Sequence, residues 1–363
     1  MKVRMPPIWI GFLFSAWFNL LRKGKFCTSP SLWLRVAFIT HSTLLISLFH
    51  QIGKRTRARK INSMPVTAPV FIIGHWRSGT TLLHTLMSRD KQFSFPTNAA
   101  CFAPGCLLFG SSYIRFWQKL IVPQSRPMDG MSLALDEPQE DEFGLIALGA
   151  PSTYLNFAFP RQHIMDHHSL DIDTLPPAQK KLWRDIFMFF LRVLTRSDPR
   201  TLLLKSPTHT CRIPIILELF PDARFIYIER DPNATLPSTF KATRQMYMAS
   251  CLQRFTEKEH EIMIQSVLND YCHMMQRYAA TRALIPEGHL VEIKFEELID
   301  SPLKTLEHCY KKLNLKGFEA AKPNFEQHID SIKAHKVGKW QNDPALQARI
   351  DKVLAEIRKC SKA

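Results

Sequence analysis

The sequence predicts an α/β fold in which helices flank a doubly wound parallel sheet. Three stretches support this prediction, because each couples a buried strand to a following helical pattern. Pro69–Ile73 precede a glycine-containing loop and a helix, Thr201–Leu204 precede the helix Ile213–Phe220, and Arg224–Glu229 lead into another helix. Ligands of such sheets bind beyond the carboxyl ends of the strands, so the residues after each strand are the first candidates for function.

The chain of 363 residues carries a large excess of positive charge. It has 48 Lys and Arg residues against 32 Asp and Glu residues, a formal net charge of +16. This balance predicts a negatively charged partner: a nucleotide, a nucleic acid or an anionic membrane surface. The hydrophobic fraction of 45% and the charged fraction of 22% are typical of a globular protein and exclude a largely disordered one.

The eight cysteines are scattered, without a CxxC pair or a histidine at zinc-finger spacing. In a chain of this size the pattern favours free thiols in a reducing compartment, so we expect a cytoplasmic protein without a metal site.

The first sixty residues differ in composition from the rest. Two apolar runs, Ile8–Leu21 and Leu32–Phe49, are each followed by basic residues, the second by the tract Lys54–Lys60. The first run is shorter than the roughly twenty residues that span a bilayer, and the second is interrupted by Arg35. Aromatic faces with cationic flanks favour helices lying on the inner, anionic face of a membrane. A true span and simple packing against the rest of the protein are the alternatives.

We therefore predict two regions, the N-terminal helices of residues 1–60 and a main domain of residues 61–363. The basic tract Lys54–Lys60 is more typical of a solvated linker than of a binding site.

The loop after the first predicted strand resembles a phosphate-binding loop. Against the pattern GxxxxGK[ST], the chain matches at Gly74 and Gly79, has Thr80 in place of the lysine, and ends with Thr81. A cation stands inside the loop as Arg77, next to Ser78. Such a loop can bind a 5′-phosphate through backbone N–H groups and hydroxyls. Without the lysine it is poorly equipped to hydrolyse ATP.

Two further strand ends carry cations. Lys205 follows the strand that begins at Thr201, and Arg230 follows the strand that ends at Glu229, with Ser238 eight residues later. Since the carboxyl ends of parallel strands share one edge, we expect Arg77, Lys205 and Arg230 to converge there. Three converging cations suit a doubly phosphorylated nucleotide.

These residues resemble those of the PAPS-dependent sulfotransferases, in particular the broad bacterial-type branch, whose fold is P-loop-like. The loop His75–Thr81 is similar to the family's 5′-phosphosulfate loop, and Arg230 with Ser238 to its 3′-phosphate motif. The resemblance covers roughly Pro69 to Leu315. It implies that residues 61–363 are a sulfotransferase catalytic domain that uses 3′-phosphoadenosine-5′-phosphosulfate (PAPS) as sulfuryl donor and needs no metal. More loosely, Gly338 and Lys339 resemble a C-terminal loop that closes over the nucleotide; a solvated linker is the alternative.

The reaction that this resemblance implies needs cations and a base. We expect Arg77 and Lys205 to stabilise the charge on the departing phosphate. For the base, the glutamate that protein-tyrosine sulfotransferases carry about twenty residues after the loop arginine is Asn98 here. The acidic cluster Asp136–Glu142, predicted to lie in the first turns of a helix, supplies the favoured candidates, Glu140 and Asp141. Complementing the helix dipole is the alternative role for these acids, and His209 is the next candidate base.

The segment from Asn98 to Pro160 is rich in apolar residues and has no clean alternation of strands and helices. We expect it to shape a pocket for a hydroxyl or amine acceptor, a lipid or another hydrophobic molecule. Two other classes stay open: a P-loop-like nucleotide kinase, and a catalytically degenerate nucleotide-binding protein associated with a membrane. Nucleic-acid binding is not expected, because the cations fall singly at strand ends rather than among exposed aromatic residues.

Overall fold

The computed structural model describes residues 7–109, 134–162, 164–332 and 344–360. The described residues form five β-strands: β1 (Val70–Ile73), β2 (Phe93–Ser94), β3 (Thr201–Lys205), β4 (Arg224–Glu229) and β5 (Leu290–Lys294). They also form thirteen α-helices: α1 (Phe14–Lys23), α2 (Trp33–Asn62), α3 (Thr80–Met87), α4 (Asn98–Phe102), α5 (Asp141–Ala147), α6 (Pro177–Ser197), α7 (Ile213–Leu219), α8 (Pro232–Ser250), α9 (Glu257–Thr281), α10 (Phe295–Asp300), α11 (Pro302–Lys312), α12 (Phe318–Ile332) and α13 (Pro344–Cys360).

All five strands belong to one parallel sheet in the order β2-β3-β1-β4-β5. The central strand β1 pairs with β3 on one side and β4 on the other, and all four of its residues are buried. The chain thus builds the sheet outwards in both directions from β1, and the predicted doubly wound α/β architecture is confirmed. The sequence pattern located β4 at its observed bounds and β1 and β3 to within one residue.

The described residues divide into two compact units. The first draws on residues 1–66, 96–199 and 241–265, and the second on residues 67–95, 200–240 and 266–363.

The second unit contains the whole sheet and its apolar core. Branched residues such as Ile72, Leu203 and Ile226 pack with Leu83 of α3 and Leu306 of α11 in one buried cluster. Strands buried on both faces need such continuous apolar runs, which is why their sequence signal was strong.

The first unit is helical in its described part. The long helix α2 packs against α1, the 3₁₀ turn Pro104–Phe109 and α6. The basic tract Lys54–Lys60 forms its last turns, so the linker interpretation of this tract is wrong. No helix breaker stands between Phe49 and Asn62 apart from Gly53, which is buried and tolerated inside the helix.

Candidate functional site

The loop after β1 begins with a glycine that the backbone requires. Gly74 has a φ of 141°, and a Cβ atom there would lie 2.5 Å from the carbonyl oxygen of Ile228. Its N–H donates to the Thr210 hydroxyl at 2.9 Å, and the same hydroxyl donates back to the Gly74 carbonyl at 3.2 Å. The end of β1 is therefore fixed to the segment that follows β3, and only glycine fits at this position.

The loop then turns into α3 through two residues in the left-handed region. Arg77 has a φ of 67° and Gly79 a φ of 104°, while the Ser78 hydroxyl donates to the His75 carbonyl at 2.8 Å. A Cβ atom on Gly79 would meet the Phe295 ring at 2.4 Å. A left-handed arginine costs roughly 1–2 kcal/mol, and such strain clusters at functional sites. Gly79 is the N-cap residue of α3, so the first N–H groups of this helix open onto the loop.

Two arginines meet in this loop. The Arg77 Nε donates to the Ser238 hydroxyl at 3.0 Å, and the Arg230 Nη1 donates to the Arg77 carbonyl at 2.9 Å. The Arg230 guanidinium lies over the Phe295 ring, 4.1 Å from its centroid. Burial, and then the positive charge of Arg77, lower the pKa of Arg230, while Glu296 and Asp231 oppose this shift. Two neighbouring guanidinium groups beside helix N–H donors form a site that favours an anion.

Lys205, at the end of β3, is buried with 1% of its side chain exposed. Its backbone aligns with Ile72 of β1, and its Nζ donates to the Thr81 hydroxyl at 3.4 Å. An ammonium group buried in protein is costly unless hydrogen bonds or negative charge compensate it. Its burial at the strand end, next to the first turn of α3, places a positive charge at the edge of the loop.

His75 is a neutral part of the loop rather than a charged one. The ring is 3% exposed, and burial lowers its pKa to about 4. Its Nδ1 lies 2.8 Å from the Trp76 carbonyl, an acceptor, so Nδ1 carries the proton. The Tyr271 ring packs edge-on against it at 4.8 Å between centroids. His75 therefore holds the loop in place by packing and one hydrogen bond.

The acidic cluster belongs to the first unit. The helix begins later than predicted: Asp141 and Glu142 form its first turn, Glu140 is the N-cap residue, and Asp136 and Glu137 precede it. The Glu140 side chain is half-buried and makes no capping hydrogen bond, whereas Asp141 and Glu142 are fully buried.

A polar network surrounds Glu140. Tyr154 donates its hydroxyl to the Glu140 Oε2 at 2.7 Å, and the Glu140 N–H donates to the Gln139 side-chain oxygen at 2.9 Å. Gln139 in turn donates to the side-chain oxygen of Asn98 at 2.7 Å. Asn98, which occupies the position of the glutamate in the protein-tyrosine sulfotransferases, is thus a buried support for this carboxylate segment.

The histidines are placed as follows. His209 is fully buried with its ring edge-on to Phe71, 5.4 Å between centroids. His84 is buried in α3 with Nε2 3.3 Å from the Leu203 carbonyl, a packed position. His168 lies exposed in the 3₁₀ turn His167–Leu170. Gly338 and Lys339 lie outside the described residues.

Sequence reasoning missed Thr210, Phe295 and Tyr154. Thr210 and Phe295 follow β3 and β5, so the rule that ligand residues lie beyond strand ends could have singled them out. No local signal identifies Tyr154, since only the fold brings it to Glu140.

The fold and this loop define an α/β protein with a P-loop-like, lysine-free anion site. The sequence profile of the sulfotransferase family matches residues 69–320. The chain is also 33% identical over 353 residues, 97% of its length and 90% of theirs, to proteins of Mycobacterium bovis and Mycobacterium tuberculosis called omega-hydroxy-beta-dihydromenaquinone-9 sulfotransferase Stf3. The chain belongs to the sulfotransferase family, and the predicted recognition is confirmed.

Solved structures show the same fold. Sulfotransferase STF1 from Mycobacterium tuberculosis superposes with a TM-score of 0.66 at 14% identity, covering 94% of this chain and 92% of that one. Sulfotransferase STF9 from Mycobacterium avium superposes with a TM-score of 0.69 at 16% identity, covering 93% and 88% of the two chains. Among the described residues, no group of three or more His, Cys, Asp and Glu side chains could hold a metal ion.

Proposed function

We propose that the protein transfers the sulfuryl group of PAPS to a hydroxyl group of an apolar acceptor. Membership of the sulfotransferase family supports the reaction class. The observation that carries the choice of donor is the joining of Arg77, Ser238 and Arg230 by two hydrogen bonds, at 3.0 and 2.9 Å. Two guanidinium groups and a hydroxyl suit a nucleotide with a second phosphate in addition to its 5′-phosphosulfate.

The residues of the loop fit such a donor. The N–H groups at the start of α3 and the hydroxyls of Ser78, Thr80 and Thr81 would hold the 5′-phosphosulfate, while Arg230 and Ser238 would hold the 3′-phosphate. Space for close approach of phosphate oxygens to the backbone exists because Gly74 and Gly79 carry no Cβ atom. When bound, PAPS supplies an activated sulfuryl group whose S–O bond to the phosphate breaks as a bond to the acceptor oxygen forms.

Two residues of this chain would stabilise the departing phosphate. Lys205, together with Arg77, presents positive charge where that phosphate gains negative charge, and removal of one such donor typically costs about 10²–10³ in kcat. No metal ion is part of this proposal.

The acceptor proton needs a carboxylate, and we assign this role to Glu140, with Asp141 as the second candidate. Glu140 is the accessible member of the pair, and its Oε2 accepts from Tyr154, which keeps the carboxylate oriented. The O–H bond of the acceptor breaks as its oxygen attacks, and the proton passes to the carboxylate.

The surroundings of Glu140 favour an apolar acceptor. Its partner Tyr154 packs against Phe143 and Phe157 at 5.3 and 5.4 Å, and Phe157 packs against Tyr247 at 5.1 Å, all between ring centroids. The similar mycobacterial protein is named for an omega-hydroxylated dihydromenaquinone. The class we propose is accordingly an alcohol at the end of a long apolar molecule, used by a cytoplasmic enzyme working at a membrane surface.

Calorimetric titration with 3′,5′-adenosine bisphosphate, with ATP and 5′-AMP for comparison, tests the donor. We expect micromolar binding of the bisphosphate, clear preference for it over ATP, and loss of that preference in Arg230→Ala. Lys312→Ala, which removes an exposed charge from α11, is the matched control and should bind like wild type. Equal or better binding of ATP, unchanged in Arg230→Ala, would overturn the donor assignment and favour a nucleotide kinase.

A further inference from the structure

Helix α2 turns its apolar side outwards. Pro30–Arg57 is the one stretch among the described residues that is long and apolar enough to cross a bilayer, with a mean hydropathy of 1.6, yet only 11% of its most apolar window is buried. Leu34 is 89% exposed, Phe38 54% and Leu48 57%. The outward apolar residues of this helix are Trp33, Leu34, Phe38, Leu44, Leu45, Leu48 and Ile52. Leu34, Phe38, Leu45, Leu48 and Ile52 recur at spacings of three, four and seven, so they line one face about 27 Å long.

The opposite side of α2 is polar and faces the first unit. The Thr40 hydroxyl accepts from the Trp17 indole at 2.8 Å, Ser42 donates to the Ile10 carbonyl at 2.9 Å, and Ser47 accepts from the Phe14 N–H at 2.6 Å. A helix at a water-exposed surface normally has the reverse arrangement. Its hydroxyls are used inside the unit, and its leucines are left outside.

Phe18 and Phe26, beside α1, add to this apolar surface. Both are about half exposed, and their rings pack against each other at 5.9 Å between centroids. The outer face of α2 and these two rings are called the N-terminal face below.

The charge around the N-terminal face has one sign. Residues 1–62 contain eleven Lys and Arg residues and no Asp or Glu. Exposed cations follow the apolar residues directly on the same helix, at Lys54, Arg55, Arg59 and Lys60. A surface of this kind complements negative charge next to an apolar phase.

We propose that the N-terminal face docks on an anionic lipid bilayer, with α2 lying in the plane of the headgroups. Its apolar side chains enter the acyl boundary, and the cations at its end contact anionic headgroups. The proposal does not depend on the sulfuryl-transfer reaction, although docking there would bring an apolar acceptor within reach of the enzyme.

Two other occupants fit the observations less well. A span would remove the hydroxyls of Thr40, Ser42 and Ser47 from their partners in the first unit and surround them with lipid. A second copy of this chain would bring two like-charged faces together, because an isologous interface pairs the same patch from both subunits.

Co-sedimentation of the full chain with phosphatidylcholine vesicles, with and without phosphatidylglycerol, tests the docking. We expect binding to the anionic vesicles that weakens with salt. The combined variant Leu34→Gln, Phe38→Gln and Leu48→Gln should weaken it more than roughly tenfold. Its control replaces three apolar residues of similar exposure elsewhere, Leu182→Gln, Leu284→Gln and Ile299→Gln, and should bind like wild type.

A charge series separates headgroup attraction from apolar insertion. Arg55→Gln, Arg59→Gln and Lys60→Gln together should weaken binding to anionic vesicles roughly 10²-fold, since each basic residue near the surface contributes about 1 kcal/mol. Lys311→Gln, Lys312→Gln and Lys316→Gln remove as much charge from exposed sites of the second unit and should have little effect. Circular dichroism melting of every variant confirms that the fold is kept.

Three results would overturn the proposal: no vesicle binding by wild type, resistance of the bound protein to extraction by alkaline carbonate, or a dimer in light scattering that the apolar variant dissociates. The second result would indicate a span and the third an interface between copies. Bisphosphate titration of the same variants keeps this test separate from the donor assignment, because the variants leave the loop after β1 intact.

Discussion

The loop after β1 and the acidic segment before α5 are both candidate parts of one reaction, but their chemistry is specified differently. In the loop, the required groups lie within eight consecutive residues, Gly74–Thr81, and the backbone itself does much of the binding. In the acidic segment, the position of Glu140 depends on Tyr154, fourteen residues away, and through Gln139 on Asn98, forty-one residues from Gln139. The loop is therefore a local device and the carboxylate a product of the fold.

This difference predicts separable defects. Changes in the loop should alter donor binding and turnover together, because the same groups hold the donor and stabilise charge. Changes in the acidic segment should lower turnover and leave donor binding unchanged.

The largest effect is expected for Glu140→Gln. The amide keeps the shape and the hydrogen bond from Tyr154 but cannot accept a proton at neutral pH, so kcat should fall about 10²–10⁴-fold. Bisphosphate binding by calorimetry should stay at the wild-type value. Asp136→Asn, on an exposed carboxylate that precedes the helix, is the control and should keep full turnover.

If Glu140→Gln retained turnover while Asp141→Asn lost it in a folded protein, the role would move to Asp141. Retained turnover in both variants would remove the acidic segment from the chemistry and leave these carboxylates to complement the helix dipole.

A smaller effect is expected for Lys205→Met. Methionine keeps the buried apolar stem and removes the charge, so the fold should survive while kcat falls about 10²–10³-fold. The measurement is turnover at saturating PAPS alongside bisphosphate binding. Thr81→Val, which removes the hydroxyl that Lys205 contacts, should lose much less. Full turnover in Lys205→Met with normal donor binding would show that this lysine only fills the end of β3.

The same contrast explains how far the sequence could be interpreted. The sheet and the loop were predictable because apolar runs and two glycines determine them locally, and Gly74 and Gly79 are the positions where a Cβ atom would collide. The two-residue strand β2 is too short to give a periodic signal, and it forms only because β3 lies beside it. The acidic helix was predicted to start too early, since charge alone does not distinguish an N-cap residue from the chain before it.

The aromatic neighbours of Glu140 come from separate parts of the chain and carry no shared motif. Phe143, Phe157 and Tyr247 look like ordinary core residues in the sequence, and only their packing on Tyr154 gives them a place beside a carboxylate. The exposure of Leu34 and Phe38 on α2 was equally hidden, because an apolar run indicates burial without saying whether protein or lipid provides it.

The smallest predicted effect concerns His75 and stability rather than turnover. In the folded protein burial lowers the pKa of His75 to about 4, below its ordinary value of 6.5. Between these pH values the unfolded chain binds a proton at this ring that the folded protein does not, so lowering the pH from 6.5 towards 4 favours unfolding. The contribution that is complete above pH 6.5 and lost below it is about 3 kcal/mol. Thermal unfolding followed across this range should therefore be less pH-dependent in His75→Gln, which retains a donor for the Trp76 carbonyl, whereas His168→Gln on an exposed ring should keep the wild-type slope. An unchanged slope in His75→Gln would mean that the ring takes up its proton in the folded loop, and the loop would then hold a third positive charge beside Arg77 and Arg230.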